Sequence, residues 1–121
     1  MQYMLLIYDD ERVWAGLAES ERNALYAEYA QFTNEVQQSG ALVGADQLQP
    51  TGTVTVVRIR DGEQLVTDGP FAEAKEVLGG YYLIDVPSLD EALEWAAKIP
   101  SARYGGIEVR PVVMRQAEVG A

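Results

Sequence analysis

The chain has no cysteine and no histidine. Without cysteine there can be no disulfide, no thiolate nucleophile and no zinc–thiolate site, a pattern that fits a reducing, cytoplasmic setting. Without histidine there is no Ser-His or Cys-His nucleophilic pair, no imidazole metal ligand and no ordinary general base at neutral pH. Positive charge is also scarce: 9 basic residues stand against 19 acidic ones, for a net charge of −10. Nucleic-acid binding needs clustered lysine and arginine to neutralise phosphates, and here the basic residues are scattered, so DNA and RNA are excluded as expected partners. Long apolar runs are missing too. The run from Tyr3 to Tyr8 has no basic flank before it and two aspartates after it, so it reads as a strand and neither as a signal peptide nor as a membrane span.

What is present suits one domain. A chain of 121 residues buries roughly two thirds of its unfolded surface, enough for a single core. Residues 2 to 8 are rich in β-compatible side chains and end at Asp9-Asp10. From Glu21 to Gln38, Leu25, Tyr29, Phe32 and Val36 recur in steps of four, three and four, which puts them on one helical face. Ser20 suits the N-cap of that helix and Gly40 its C-terminal stop. Between them and the first strand, Glu11 to Glu19 reads as a loop with a helical turn that lays Trp14 on the core.

Ala41 to Leu48 reads as a second strand. Thr53 to Arg60 and Glu63 to Thr67 form a hairpin about Asp61-Gly62, the dipeptide favoured in two-residue turns. A further strand opens at Gly79 or Gly80 and runs through Val86. Ser88-Leu89-Asp90-Glu91 has the spacing of a capping box, and the helix after it is expected to bury Leu89, Ala92, Leu93 and Ala96 until Pro100 stops it. The last strand spans Ile107 to Val113 or Met114. The order is β-α-β-hairpin-β-α-β, an α+β, ferredoxin-like antiparallel sheet with two helices on one face. A domain over 1–115 and a flexible C-terminal tail over 116–121 are expected.

Both faces of the first strand are apolar, Tyr3, Leu5 and Ile7 on one and Met4, Leu6 and Tyr8 on the other, and the strand holding Tyr81 and Tyr82 behaves the same way. Two helices cover one face only, so a homodimer packed sheet against sheet is expected to cover the second.

The most distinctive stretch runs from Thr67 to Tyr82, through Asp68-Gly69-Pro70-Phe71 and Glu73-Ala74-Lys75-Glu76. With Tyr3 to Tyr8, Tyr81 to Ile84, Leu89 to Ala92 and Ile107 to Pro111, it resembles the YCII-related superfamily, and within it the branch named for the Asp-Gly-Pro-Phe motif. The resemblance covers nearly the whole chain. It implies a bacterial ferredoxin-like domain that dimerises into an α/β-barrel-like assembly, often encoded beside a sigma factor of the extracytoplasmic-function group. It implies no assigned activity. Members of the wider superfamily proposed to be enzymes share a helix-one histidine working with an aspartate, and Tyr29 occupies the position that matches that histidine.

The candidate catalytic residues are therefore Asp68 and Tyr29. Tyr8, Phe71, Glu73, Lys75, Glu76 and Tyr81 are candidate ligand-binding residues around a cleft associated with the dimer. Two readings of the loop stand side by side. In one, Asp68 accepts a proton or a ligand hydrogen bond, Lys75 holds an anionic group and Phe71 walls the pocket. In the other, Asp68 caps a short helix beginning at Pro70 and Phe71 plugs the core. Tyr29 likewise reads either as a hydrogen-bonding acid or as a core aromatic with a satisfied hydroxyl. Gly79-Gly80 and Gly105-Gly106 read as turns, with close backbone approach to a ligand as the alternative. Asp9-Asp10-Glu11 matches no calcium loop and reads as a solvated acidic turn. Glu108 and Arg110 share a face of the last strand and are placed to meet the dimer cleft or to pair across it. No metal or organic cofactor is positively indicated. Two functions follow as expectations: a small-molecule site with cofactor-free acid/base chemistry of the lyase or isomerase kind, or a non-catalytic interaction module linked to a sigma factor.

Overall fold

A computed structural model describes residues 1–71 and 73–114. The expected tail over 116–121 lies outside the described residues. The elements are β1 (Gln2–Asp9), α1 (Glu11–Ala15), α2 (Glu19–Gln38), β2 (Leu42–Gln47), β3 (Thr55–Arg60), β4 (Glu63–Asp68), β5 (Val77–Asp85), α3 (Leu89–Lys98) and β6 (Gly106–Pro111). Short 3-10 turns over Thr51–Thr53 and Pro100–Arg103 complete the chain order. Four strands form one antiparallel sheet in the order β2-β5-β1-β6, while β3 and β4 pair only with each other. This is the ferredoxin-like α+β arrangement, with the hairpin inserted between its second and third sheet strands.

In β1, Tyr3, Leu5, Ile7 and Asp9 face inward and are buried, while the residues between them are only half-buried. The period of two makes the last inward position an aspartate. Helix α2 lays Leu25, Phe32 and Val36 onto this layer. Phe32 meets the edge of Tyr82 at 5.0 Å between ring centroids, the geometry aromatic quadrupoles favour. Helix α3 buries the small residues Ala92 and Ala96, with Ile99 just beyond it.

The expected burial of Leu89 and Leu93 does not hold, since each is 47% exposed. The core stripe of α3 follows Ala92, Ala96 and Ile99; Leu93 lies off that line, and Leu89, although in step with it, is exposed as the first residue of the helix. Helix α2 also begins earlier than its serine suggests. Its N-cap is Ala18, whose amide donates to the Glu21 carboxylate at 3.0 Å, so a glutamate reaching back replaces the expected Ser20 cap. Ser88 caps α3 as expected, accepting from the Glu91 amide at 3.3 Å.

Among the described residues, no helix is long and apolar enough to cross a membrane. The second face of the sheet carries Met4, Leu6, Tyr8 and Leu83, with Glu108 and Arg110 exposed across from Leu6 and Met4.

Candidate functional site

Asp9 ends β1 on its buried face and is only 8% exposed, so its carboxylate must be met by donors. Two elements supply them. Asp10 caps α1 by accepting from the Arg12 amide, which starts the helical turn that brings Trp14 back over the strand end. The Trp14 indole N–H then donates to Asp9 Oδ2 at 3.0 Å. From the opposite end of the chain, the 3-10 turn carries Ser101, whose hydroxyl donates to the same Oδ2 at 3.2 Å. Gly105 makes that approach possible. A Cβ there would sit 2.1 Å from the Tyr8 carbonyl oxygen, so the segment crosses β1 closely only because residue 105 has no side chain.

Ser101 also bonds the Tyr29 hydroxyl, at 2.5 Å. A carboxylate can only accept, so the single Ser101 proton goes to Asp9 and Ser101 accepts the proton of Tyr29. The chain of donation runs Tyr29 to Ser101 to Asp9. Burial pushes the pKa of the Tyr29 phenol above its ordinary value, against the opposing effect of the Ser101 hydrogen bond, so the group is neutral at physiological pH. Tyr82 is raised by burial as well, and its hydroxyl pairs with Thr33 at 2.7 Å.

These groups line a cavity of about 600 Å³ between α1, α2 and the β5–β2 edge, within the range of small-molecule pockets. Four aromatic side chains wall it, Trp14, Tyr26, Tyr29 and Tyr82, while Tyr81 contributes from the strand edge, its phenol turned to the other face with Leu6 and Asp46. Trp14 and Tyr26 pack at 5.5 Å between centroids. Glu11 pins the far wall by accepting from the Thr51 amide at 2.8 Å, and Tyr81 donates to Asp46 at 2.8 Å. Asp9 Oδ1 takes no hydrogen bond, yet among the described residues no fully buried polar side-chain atom lacks a partner. Oδ1 also lies 3.4 Å from where a Cβ on the cavity-lining Gly79 would be. That oxygen opens onto the cavity.

The residues singled out from sequence divide in two. Tyr29 and Tyr81 line the cavity. Tyr8 lies on the other face of the sheet, and Asp68 pairs with Thr55 at the base of the hairpin. Phe71 is 76% exposed and stacks under the Arg58 guanidinium at 4.8 Å. Glu73, Lys75 and Glu76 are exposed, and none of them lines the cavity. Lys75 reaches toward Asp10: the hydrogen bonds from Arg12, helped by the charges of Arg12 and Lys75, hold the Asp10 carboxyl down at about 2. No helix forms at Pro70 among the described residues. Gly69 instead takes a left-handed φ of +100° and donates to the Val54 carbonyl at 2.7 Å, closing the hairpin base.

The model of the YCII-related domain family matches residues 1–115. The chain belongs to that family. It is 38% identical over 116 residues to an uncharacterised protein of Rhizobium meliloti (strain 1021), a match covering 94% of each chain. The cavity is built on the first strand and first long helix of the matched region.

Asp9 and Ser101 were not singled out from sequence as site residues. Asp9 sat in a visible acidic run whose three members take separate partners: Asp9 binds Trp14 and Ser101, Asp10 binds Arg12, and Glu11 binds Thr51. The signal available was strand parity, because an inward-facing Asp9 follows from inward-facing Tyr3, Leu5 and Ile7. Ser101 carried none beyond the Gly105-Gly106 pair close after it.

Proposed function

We propose that this YCII-related protein binds a small molecule in the aromatic cavity and performs cofactor-free proton transfer there, of the elimination or isomerisation kind. The observation that carries this reading is the buried Asp9 carboxylate, linked through Ser101 to a Tyr29 hydroxyl on the cavity wall. A proton leaving the ligand is taken by the Tyr29 oxygen while the Tyr29 proton passes to Ser101 and the Ser101 proton to Asp9. The carboxylate ends protonated, Tyr29 and Ser101 are unchanged, and the same path in reverse returns the proton to the product or its leaving group. Tyr29 touches the ligand, whereas Ser101 and Asp9 act through it. Asp9 and Ser101 are buried, and that low-dielectric setting strengthens these hydrogen bonds.

In the same reading the protein is a cytoplasmic homodimer, its second sheet face covered by the same face of another copy. The half-buried Met4, Leu6, Tyr8 and Leu83 support this. Light scattering should give twice the 13.3 kDa chain mass.

A second reading, an interaction module tied to a sigma factor, is favoured by the hairpin. Val57, Ile59 and Val66 share one exposed face of it, and Asp68 and Phe71 continue from its end. Fragment screening by nitrogen-15 NMR separates the two. Fragments that move the Trp14 indole and the Gly79 and Gly80 amides support the cavity reading. Fragments that move only hairpin signals, in a library that never reaches Trp14, would sink it.

A further inference from the structure

We infer that the cavity selects a cationic ligand, an apolar or aromatic body carrying a protonated amine; this rests on the cavity being the binding site. At the Tyr29–Ser101–Asp9 chain the groups it offers are acceptors. Ser101 and Trp14 both donate to Asp9 Oδ2, which leaves Oδ1 open to the cavity beside Gly79. Tyr29 gives its only proton to Ser101, so its oxygen faces the cavity with lone pairs alone.

Glu11 adds a second carboxylate to the wall, partly engaged by the Thr51 amide. Arg22 is the one cationic side chain among the lining residues, and it is exposed in the first turns of α2. Two carboxylates, Asp9 and Glu11, against one guanidinium leave the site negative, and the net charge of −10 draws cations toward it.

The walls agree with the charge. Trp14, Tyr26, Tyr29 and Tyr82 present aromatic surface, which attracts cations at ring faces and apolar groups elsewhere. An anionic ligand would have to approach Asp9 Oδ1, whose neighbours include no cation that pairs with it. A neutral ligand would leave that buried oxygen without a charged donor, whereas an ammonium satisfies it directly. The closest alternative is a neutral polyol, which also offers donors but makes little use of the aromatic walls.

The test uses the full-length protein and three probes of one shape: 2-phenylethylamine, 2-phenylethanol and phenylacetate. The Trp14 indole N–H signal, assigned by its loss in Trp14→Phe, reports binding because that proton lies on Asp9. The expected order is amine, alcohol, carboxylate, with at least about a tenfold gap between the first two. Asp9→Asn should erase the gap while the alcohol still binds. Equal or reversed affinities in the wild-type protein would overturn the cation preference and leave the binding site standing. A gap that survives in a folded Asp9→Asn protein would overturn the role given to Asp9. No Trp14 response to any probe at millimolar concentration would overturn the inference and count against the cavity reading as well. Should Asp9→Asn not fold, the wild-type order decides the charge preference, and Glu11→Gln tests the wall, with a smaller gap expected.

Discussion

Residues 9–11 and residues 68–76 are both acidic stretches that follow a strand, and the fold treats them in opposite ways. In the first, every carboxylate is held: Asp9 by an indole and a serine, Asp10 by Arg12 and Glu11 by a loop amide. In the second, Asp68, Glu73 and Glu76 are exposed, with no side-chain hydrogen bond among the described residues. The difference is one of position. Asp9 stands at the inward parity of the central strand, where desolvation forces partners to converge, whereas Asp68 ends a hairpin whose strands pair only with each other. Density of charge in a sequence marks a place where chemistry is affordable; a site is made where burial and convergence coincide.

That contrast is broken most directly at the glycines. Gly105→Ala pushes a methyl group into the Tyr8 carbonyl and should cost about 3 kcal/mol of stability in urea unfolding, with loss of the Ser101–Asp9 contact. Gly69→Ala in the other stretch meets nothing within 4 Å and carries only the strain of its φ of +100°, about 1 kcal/mol. Equal costs at the two positions would remove the argument that close packing over β1 builds the site.

A smaller effect separates the two aspartates. Asp9→Ala strands the Trp14 indole and the Ser101 hydroxyl and should cost about 2 kcal/mol. Asp68→Ala should stay within about 0.5 kcal/mol, as should Phe71→Ala, whose ring rests on Arg58 at the surface. In ligand titrations only Asp9→Ala should alter affinity for a cavity ligand. A loss of binding in Asp68→Ala would return the catalytic assignment to the loop.

Much of this fold was legible because its signals are local. The steps of Leu25, Phe32 and Val36 give α2, and Asp61-Gly62 gives the hairpin turn, with φ values of +51° and +78° at its two residues. Tyr29 was legible as well, since it shares the stripe of α2 while its hydroxyl extends beyond the core. The partners of Tyr29 were not. Ser101 is 72 positions away from it and 92 from Asp9, and nothing in a short polar turn after a helix announces a contact at that distance. The loop from Asp68 to Glu76 attracted attention for the reverse reason: its residue types are rich in chemistry, but their convergence is a tertiary property that spacing cannot report. The expected helix at Pro70 gave way to the Gly69–Val54 closure because the strand pair extends to Asp68.

The finest expected difference concerns alkaline pH. Burial raises Tyr29 and Tyr82 above the value near 10 that a tyrosine has in the unfolded chain. The folded protein therefore holds these protons where the unfolded chain has released them. The stabilisation is complete below about pH 10 and is lost as pH rises through the folded-state values. Tyr29→Phe removes one of the tyrosines raised in the folded state, so its plot of unfolding free energy against pH should fall less steeply above pH 10, by less than one proton per molecule. Phe71→Ala should leave the slope unchanged. If Tyr29→Phe leaves the slope unchanged too, the phenol is titrating as though solvated. The cavity wall would then be open to water, and the low-dielectric relay from Tyr29 through Ser101 to Asp9 would lose its physical basis.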